Sequence, residues 1–360
     1  MKKLKLGTIG VGTFSHYHLD GWQKIEEIDN AAICGHSNIE RLKEVSLKYK
    51  IKKAYLDYEE MFKKEELDLI DIITPSGSHK NVIFSAVENG IKNILCEKPL
   101  AENMEDAEEI VSICEKNKVN LSVFQNFRFY PWYVKMKELI EKKEINNIFY
   151  ASIFHRTALM NKFDLFGGTG IFKKNNSFIL KLDKLILMEL ALHFYDILRF
   201  LFGEPRSIYC RTKNVIHDSK GENTSISVIE FKNIDALVEV SWCSIGEDIS
   251  QAVRIEGTDG TIFLDDEGDD AKLKLFLPEN AEIKIRPGMN HPIVKPIILD
   301  IDTKDYLHEG ILKLEKNFTE AVLNNSLSMP TGRDNLKTLE MVFSAYKSSV
   351  ENKVIKFTNY

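Results

Sequence analysis

The feature that most constrains the fold is a regular alternation of strand and helix patterns from residue 4 to about residue 123. Apolar runs such as "LDLIDIIT" and "KNILCE" have the length and composition of buried strands, and amphipathic segments such as "IERLKEVSLKYK" separate them. Neighbouring parallel strands need long crossover connections, usually helices. The alternation therefore predicts a parallel sheet with right-handed crossovers over residues 1–123.

The pattern changes beyond residue 123. Segments from "NNIFYASIFH" to "KLKLFLP" favour strands of a largely antiparallel sheet, and Asp259-Gly260 between two of them indicates a hairpin. One long apolar helix, "KLILMELALHFYDILRFLFG", lies within this region. We expect a second, α+β domain over residues 124–345, and a final segment, residues 346–360, that packs back on the N-terminal domain.

Composition excludes several function classes. The 360-residue chain is 44% hydrophobic and 28% charged, which is ordinary for a soluble globular protein. Its net charge is −6 and its lysines are scattered, so we expect no nucleic-acid partner. No apolar run reaches the ~18 residues of a membrane span, and we expect no secretory leader. The five cysteines form no C-x-x-C pair, which favours reduced thiols in the cytoplasm.

The first strand leads into a glycine-bearing loop, "GVGTFS", at the point where a dinucleotide-binding chain carries G-x-G-x-x-G. Gly10 permits a tight turn, and Gly12 lets backbone amides at a helix N-terminus approach a pyrophosphate. Ser15 replaces the third glycine and is small enough for helix and strand to pack. A plain turn is the alternative, but the position at the head of the alternating series favours cofactor contacts from Gly10, Gly12, Thr13 and Phe14.

The end of the second strand bears on the choice of cofactor. NAD-binding chains place a carboxylate there, and the segment "AAICGHSN" has none before Glu40. At about 4 Å and an effective dielectric constant of about 20, such a carboxylate repels a 2′-phosphate by about 4 kcal/mol. Its absence favours NADP, with contacts from His36, Ser37 and Arg41, while NAD by looser contacts stays open.

Further segments resemble the Gfo/Idh/MocA family of oxidoreductases. They are "TPSGSH" (74–79), "CEKPL" (96–100), "QNFRF" (125–129), the hairpin "EGTDGTIFLDD" and the ending "TGRDNLKTLEMVFSAYKSS". The resemblance implies an N-terminal Rossmann domain and a C-terminal domain on an open, mostly antiparallel sheet. It also implies NAD or NADP, a carbohydrate or polyol substrate, and homodimers or homotetramers formed through the open sheet face.

Specific residues carry this resemblance. Glu97 and Lys98 match the E-K-P motif of the family, in which the lysine is a catalytic-site residue. Thr74, Pro75 and His79 match the stretch that lines the cofactor, and we include Glu97 and Lys98 among the cofactor contacts. A second motif is normally D-x-x-x-H on a helix; here Glu189 takes the aspartate position and His193 the histidine position. The longer glutamate weakens the inference about substrate.

The residue types suit hydride chemistry. Oxidation of a hydroxyl sends a hydride to the nicotinamide, so the hydroxyl proton needs an acceptor, for which His193 is the candidate. Lys98 follows a strand, where its ammonium can hold the substrate oxygen. Glu189 lies four residues before His193 on one helix face and can orient it; the alternative is a buried histidine satisfied by Glu189 or Asp196. Asn126, which follows the last predicted strand of the first domain, is a candidate cofactor contact in the cleft, with a structural role as the alternative.

The expected activity is an NAD(P)-dependent dehydrogenase or reductase acting on CH–OH groups of a sugar, sugar derivative or cyclitol. Two alternatives stay open: NAD-dependent glycoside cleavage by transient oxidation and elimination, and a catalytically idle NAD(P)-binding regulator. Cofactor that co-purifies and does not exchange would favour glycoside cleavage. Cofactor binding without hydride transfer would favour the regulator. No metal is expected, because His16 and His18 are two residues apart and do not converge.

Overall fold

The computed structural model describes residues 3–36, 38–157, 179–216, 219–244, 251–265, 269–286 and 289–357. The chain divides into two compact units, one of Met1–Phe129 with Leu307–Glu340 and one of Tyr130–Tyr306 with Met341–Tyr360. Ser37, a predicted cofactor contact, lies outside the described residues.

The first unit is built on a six-stranded parallel sheet with the order β3-β2-β1-β4-β5-β6. The strands are β1 Leu4–Ile9, β2 Ile28–Cys34, β3 Lys53–Tyr55, β4 Leu69–Ile72, β5 Asn93–Cys96 and β6 Asn120–Val123. β4 and β6 are buried at every position, as expected for parallel strands covered on both faces. The predicted parallel sheet is confirmed, and its strand order is that of a doubly wound dinucleotide-binding fold.

Helices alternate with these strands. The helices of the described chain are α1 Ser15–Trp22, α2 Ile39–Lys48, α3 Tyr58–Lys64, α4 His79–Glu88, α5 Met104–Lys116, α6 Pro131–Glu141, α7 Leu192–Phe202, α8 Tyr306–Leu323 and α9 Gly332–Glu351. Short polar side chains start α2 and α5: Asn38 accepts the Arg41 amide and Asn103 accepts the Asp106 amide, each at 2.8 Å. Such caps satisfy amides that have no partner within the helix.

Helix α8 completes the core of the first unit, although it comes about 180 residues after that unit's last strand. Its apolar face packs with residues of the sheet and of α1 in one buried cluster, whose members include Leu6, Trp22, Phe124, Ile311 and Phe318. The predicted boundaries, with residues 124–345 in one domain, are therefore wrong for this helix. Buried apolar area, rather than position along the chain, decides to which unit it belongs.

The second unit is built on a nine-stranded sheet with the order β16-β13-β12-β11-β7-β10-β9-β8-β17, beside a two-stranded hairpin of β14 and β15. The strands are β7 Ile148–Arg156, β8 Ser207–Lys213, β9 Thr224–Glu230, β10 Asp235–Ser241, β11 Gln251–Gly257, β12 Gly260–Leu264, β13 Leu273–Phe276, β14 Ala281–Arg286, β15 Met289–Val294, β16 Ile297–Ile298 and β17 Ile355–Lys356. Neighbours are antiparallel except β7 and β10, which are parallel. The mostly antiparallel sheet and the β11–β12 hairpin are confirmed.

One face of this sheet is covered and the other is open. Along β9, Ser225, Ser227 and Ile229 are buried, and the hydroxyls of Tyr195 on α7 and Ser227 are 2.6 Å apart. Alternate residues of the same strand point the other way, and Ile226 and Val228 are 51% and 46% exposed. A strand pattern with apolar residues on both faces is typical of a sheet that another surface covers.

The C-terminal segment belongs to the second unit. Ile355 pairs with Ile208 and Lys356 with Ser207, so β17 extends the large sheet at its β8 edge. The prediction that residues 346–360 pack back on the N-terminal domain is therefore wrong. The reason is the unpaired backbone of an edge strand, which a short extended segment satisfies.

Candidate functional site

The carboxyl ends of β1 and β4 lie side by side, where the strand order of the first unit reverses. Ligands of doubly wound sheets bind at such a switch point because the two following loops diverge there. Gly10, directly after β1, has a left-handed conformation with φ at +122°, and a Cβ at this position would lie 2.6 Å from the Ile73 carbonyl oxygen. Only glycine allows this close approach of the two loops.

The rest of the loop presents backbone to solvent. Gly12, Thr13 and Phe14 are exposed, and a Cβ on Gly12 would meet nothing within 4 Å. The buried Ser15 hydroxyl donates to the Gly12 carbonyl at 2.7 Å, so the serine in the third glycine's place closes the loop from inside. Open space over glycine backbone at the start of α1 fits a dinucleotide pyrophosphate.

Arg41 lies across this loop from the side of β2. Its Nε donates to the Val11 carbonyl at 3.3 Å, and its Nη1 donates to both carboxylate oxygens of Glu44, at 2.9 and 2.8 Å. Its Nη2 is 2.6 Å from Nε2 of His16. Burial, together with the charges of Lys48 and Arg41, lowers the pKa of His16. The guanidinium is thus near the end of β2, as predicted, but already carries a carboxylate partner.

The exposed His36 follows β2, and its Nδ1 lies 3.2 Å from the Leu56 carbonyl. Gly35, before it, packs against Val11, whose Cγ2 would lie 2.7 Å from a Cβ at that position. The end of β2 therefore touches the glycine-bearing loop itself.

The side chain of His79 connects the loop that follows β4 to the loop that follows β5. The ring of this fully buried residue has Nε2 at 2.8 Å from the Thr74 carbonyl and Nδ1 at 3.1 Å from the Pro99 carbonyl. Burial lowers the pKa of His79. Thr74 is half-buried and Pro75 exposed, so these two can face a ligand. His79 was predicted to contact the cofactor; buried as it is, it joins the loops after β4 and β5 instead.

The E-K-P turn follows β5. Oε2 of Glu97 accepts the amide of Lys98 at 2.8 Å, and Oε1 lies 3.0 Å from Nε2 of His18. The Lys98–Pro99 peptide is cis, and Lys98 is half-buried. The Glu97 carboxylate, predicted to contact the cofactor, is thus directed into the protein.

Asn126, which is 5% exposed, begins a short 3₁₀ turn, Asn126–Phe129, which two residues separate from the end of β6. Arg128, in the same turn, forms an ion pair of 2.7 Å with Asp334 on α9. The turn is therefore fixed within the first unit.

A buried ionic cluster lies behind the E-K-P turn, and the sequence patterns did not predict it. Nδ1 of His18 is 2.9 Å from Oδ2 of Asp71, which also accepts Nε1–H of Trp22 at 2.7 Å. Burial alone lowers the pKa of His18, but the carboxylates of Asp71 and Glu97 outweigh it and raise that pKa to about 10. The imidazole is therefore held as a cation between two carboxylates. The available signal was a charged residue, Asp71, in the middle of the apolar strand segment "LIDI".

Glu315 on α8 is the fourth member of this region. It is fully buried, and burial raises the pKa of its carboxyl well above the ordinary value. A Cβ on Gly21 would lie 2.0 Å from its Oε2, so the glycine within α1 makes room for it. His18, Asp71 and Glu315 bring ligand atoms within 4.8 Å of one another, a donor set that divalent cations accept. His16, the other member of the histidine pair considered in the sequence, takes no part in this set.

The second unit carries the other predicted catalytic residues. A π-helical turn, Leu187–Ala191, leads directly into α7, so Glu189 and His193 lie on a helix that is not regular throughout. Glu189 is half-buried and His193 is 7% exposed. Such π turns are frequent at functional sites, because they re-aim side chains.

The start of this helix is fixed by a buried carboxylate. Oε1 of Glu222 accepts the amides of Leu185 and Leu187, each at 3.1 Å, and the hydroxyl of Tyr346 at 2.6 Å. Burial raises the pKa of Glu222, although these donors act against it. The carboxylate satisfies amides at the helix N-terminus that have no partner within the helix, as an N-cap does.

A second histidine of this unit, His155, lies beside α7. His155 on β7 has its ring centroid 5.5 Å from that of Phe194. Burial lowers the pKa of His155 to about 4, so its imidazole is neutral at pH 7. The side chains of Tyr133 and the buried Gln251 are hydrogen-bonded, and Gln251 pairs with His155 in the sheet.

Comparison with known proteins decides the family. Residues 4–125 match the model of an oxidoreductase family with an NAD-binding Rossmann fold, and residues 133–263 match the GFO/IDH/MocA C-terminal domain. The chain belongs to the Gfo/Idh/MocA oxidoreductases. The resemblance in the sequence is thus confirmed, as is the expectation of an NAD-binding Rossmann domain in an oxidoreductase.

Individual relatives extend over nearly the whole chain. A D-apiose dehydrogenase of Paraburkholderia graminis is 28% identical, over 99% of this chain and 90% of its own. The scyllo-inositol 2-dehydrogenase (NADP(+)) IolU of Bacillus subtilis is 26% identical, over 95% and 99%. A crystal structure of an oxidoreductase from Agrobacterium radiobacter in complex with NAD+, L-tartaric acid and magnesium is 25% identical, with a TM-score of 0.84 over 99% and 98% of the two chains.

Within this Gfo/Idh/MocA protein, the structure brings together the predicted residues of the first unit. Gly10, Gly12, Thr74 and Lys98 all follow carboxyl ends of adjacent strands β1, β4 and β5. Glu189 and His193 share one helix of the second unit. Among the described residues, no helix is long and apolar enough to cross a bilayer.

Proposed function

We propose that this protein is an NAD(P)-dependent dehydrogenase or reductase of a sugar, sugar derivative or cyclitol. The observation that carries the proposal is Lys98 at the end of β5, two strands from the loop whose glycine backbone is open to a pyrophosphate. The relatives named D-apiose dehydrogenase and scyllo-inositol 2-dehydrogenase support a polyhydroxylated substrate.

The nicotinamide, when bound, supplies the hydride acceptor or donor. The residues of the chain manage the substrate's oxygen and its proton. In the oxidation, the Lys98 ammonium holds the hydroxyl oxygen as negative charge develops on it, which is electrostatic stabilisation of the transition state. His193 accepts the hydroxyl proton as the C–H bond breaks, and in the reduction it returns that proton. Glu189, on the preceding π turn, orients the imidazole.

Two alanine variants test these roles. Lys98→Ala and His193→Ala should retain the affinity for NAD(P) and lose about 10²–10⁴-fold in kcat, the typical contribution of acid–base catalysis. The matched control is Lys92→Ala, an exposed lysine just before β5. Turnover is followed at the absorbance band of the reduced cofactor with a panel of sugars and inositols. Full activity of either variant with every accepted substrate would refute its role, and binding without hydride transfer in the wild type would favour a regulator.

We propose further that NADP is preferred over NAD. The support is Arg41 beside the end of β2, where no carboxylate follows the strand before Glu40. The guanidinium is bound by Glu44, which a 2′-phosphate has to displace. Arg41→Ala should lower kcat/KM for NADP by about 10- to 100-fold, since charge-assisted hydrogen bonds contribute about 1.5–3 kcal/mol, and leave that for NAD unchanged. Lys43→Ala, exposed on the same helix, is the control.

The open face of the large sheet supports a homodimer or homotetramer. Ile226 and Val228 are apolar and about half exposed there. Val228→Lys should shift the mass measured by light scattering toward that of the monomer. Val350→Lys, at a position 86% exposed on α9, should leave the mass unchanged. A wild-type protein that is monomeric at all concentrations excludes this assembly.

The thiols support a reducing compartment. All five cysteines are free, and four of them are buried. Burial raises the pKa of Cys34 to about 12, which keeps this thiol protonated and inert. A cytoplasmic location is proposed on this ground, and fractionation of cells expressing the protein tests it.

A further inference from the structure

A cluster of buried ionisable side chains lies behind the E-K-P turn. Three ionisable side chains, those of His18, Asp71 and Glu315, are fully buried in the first unit, and Glu97 is nearly so. Burying such groups destabilises a fold unless each one has a partner. A group retained at this cost, next to a proposed catalytic residue, is a candidate for function.

The hydrogen bonds form a continuous chain that ends at Lys98. Oδ2 of Asp71 is 2.9 Å from Nδ1 of His18, and Nε2 of the same ring is 3.0 Å from Oε1 of Glu97. Oε2 of Glu97 then accepts the Lys98 amide at 2.8 Å. Both nitrogens of the His18 ring and both carboxylate oxygens of Glu97 thus take part in this series of hydrogen bonds. Asp71 belongs to β4 and Glu97 follows β5, so the ring of α1 connects two adjacent strand ends.

The ring itself is fixed in place. It stacks on Phe124, with centroids 4.0 Å apart, and Trp22 Nε1–H holds the Asp71 carboxylate at 2.7 Å. The charged groups that face it are Asp71 and Glu97, while Glu315 on α8 lies next to it. Burial raises the pKa of the Glu315 carboxyl well above its ordinary value.

We propose that His18 is a positioning residue for Lys98, acting through Glu97: the ring holds one carboxylate oxygen so that the other fixes the Lys98 backbone. The inference rests on the proposed function, because it presupposes that Lys98 acts on the substrate. His18 itself touches neither substrate nor cofactor. Its effect is on geometry, and a misplacement of about 1 Å in an active site costs about 10²-fold in rate.

The side chain chosen for substitution separates positioning from folding. His18→Leu removes both ring donors and leaves Glu97 without this partner. His18→Gln keeps an N–H donor near the position of Nε2. We expect kcat to fall by about 10²-fold in His18→Leu and to recover largely in His18→Gln, with KM for the cofactor unchanged in both. Ile25→Val, which trims a buried side chain that follows α1, controls for lost stability and should keep the wild-type kcat.

A double-mutant cycle tests the route through Glu97. If His18 acts only by holding that carboxylate, Glu97→Gln and His18→Leu are not additive, and the double variant has the kcat of Glu97→Gln alone. Additive effects overturn the proposal, as does a wild-type kcat in folded His18→Leu. If Lys98→Ala is fully active, the proposed function fails first; if Lys98→Ala is inactive while the His18 variants are normal, only the positioning role fails.

One further result overturns the proposal. His18, Asp71 and Glu315 are also a donor set for a divalent cation, which requires a neutral ring with one nitrogen on the metal. Elemental analysis of the purified wild-type protein distinguishes the positioning role of His18 from metal binding by the cluster. We expect no stoichiometric metal. A bound metal that disappears together with activity in Glu315→Gln assigns the cluster to metal binding instead.

Discussion

Replacing Gly12 with alanine should remove the cofactor from this protein while its fold stays intact. A Cβ at this position meets nothing within 4 Å, and Gly12 is not among the glycines with a positive φ. Alanine is therefore compatible with the backbone, and its free energy of unfolding should rise by about 0.4–1 kcal/mol or stay unchanged. The added methyl group projects into the space that a pyrophosphate needs in order to reach the loop amides.

The expected loss of affinity follows from the contacts that the methyl group blocks. Hydrogen bonds to a charged partner contribute about 1.5–3 kcal/mol each. Losing two of them, from amides at the start of α1, costs at least about 3 kcal/mol, which raises the Kd by at least about 100-fold. The effect should be equal for NAD and NADP, because the two share the pyrophosphate.

Gly10→Ala is the matched contrast. There the Cβ would lie 2.6 Å from the Ile73 carbonyl oxygen and 2.7 Å from its carbon, at a φ of +122°. Backbone strain of about 1–3 kcal/mol and overpacking of about 1–3 kcal/mol add to a loss of about 2–6 kcal/mol in the free energy of unfolding. This variant should lose the fold of the first unit, and the cofactor with it.

Urea unfolding followed by circular dichroism measures the first quantity, and titration calorimetry with each cofactor measures the second. The reasoning is refuted if Gly12→Ala binds both cofactors as the wild type does, since the loop then does not hold the pyrophosphate. It is equally refuted if Gly12→Ala is as destabilised as Gly10→Ala, because the space over the loop is then not open.

Three further predictions concern stability. Burial raises the pKa of Glu315 above its unfolded value of about 4.5, so folding takes up a proton and wild-type stability falls as the pH rises above that value. Glu315→Gln should remove this slope, gaining at most about 1.4 kcal/mol per pH unit over the wild type in urea unfolding as the pH is raised from 5. Glu222→Ala leaves the Tyr346 hydroxyl and two amides without their acceptor and should cost about 3 kcal/mol or more in thermal unfolding, whereas Glu222→Gln should be milder. Gly257→Ala places a Cβ 2.0 Å from the Ile145 carbonyl oxygen and should lower the melting temperature, which calorimetry measures.

The parts of the fold that the sequence predicted are those whose signal is local. The alternation of apolar strands and amphipathic helices predicted the parallel sheet, because each strand buries both faces. β3, Lys53–Tyr55, was missed, since it has three residues and two of them are exposed. Helix α6 was missed as well, although Pro131 in its first turn is a start signal.

Long-range packing accounts for the wrong domain boundaries. Nothing in the periodicity of α8 indicates whether its apolar face, with Ile311 and Phe318, covers one sheet or the other. Likewise β17 has two residues, and its place beside β8 depends on the edge that β8 leaves open. In both cases the decisive partner is remote in the chain.

The same difference between local signals and remote partners explains which site residues were predicted. Gly10 and Gly12 were predicted from their spacing after the first strand, and the E-K-P turn from its resemblance to the family motif. His18 was missed because its partners, Asp71 and Glu97, lie 53 and 79 residues further along the chain. The sequence places His18 two residues after His16, and in the structure the two rings have different partners: Arg41 and Tyr49 for His16, carboxylates for His18.

The two units hold their proposed catalytic residues in the same physical way. In the first, Oε2 of Glu97 accepts the Lys98 amide; in the second, Oε1 of Glu222 accepts amides at the start of the helix that carries His193. In both, a buried carboxylate accepts backbone amides. These hydrogen bonds fix the backbone from which the catalytic side chain projects, and they do not involve that side chain. Burying these carboxylates opposes folding, because desolvation disfavours their charge. Different partners offset this desolvation cost. Glu97 has an imidazolium partner, and Glu222 has a tyrosine hydroxyl and two backbone amides. Removing the partner should therefore perturb catalysis through Glu97 and stability through Glu222.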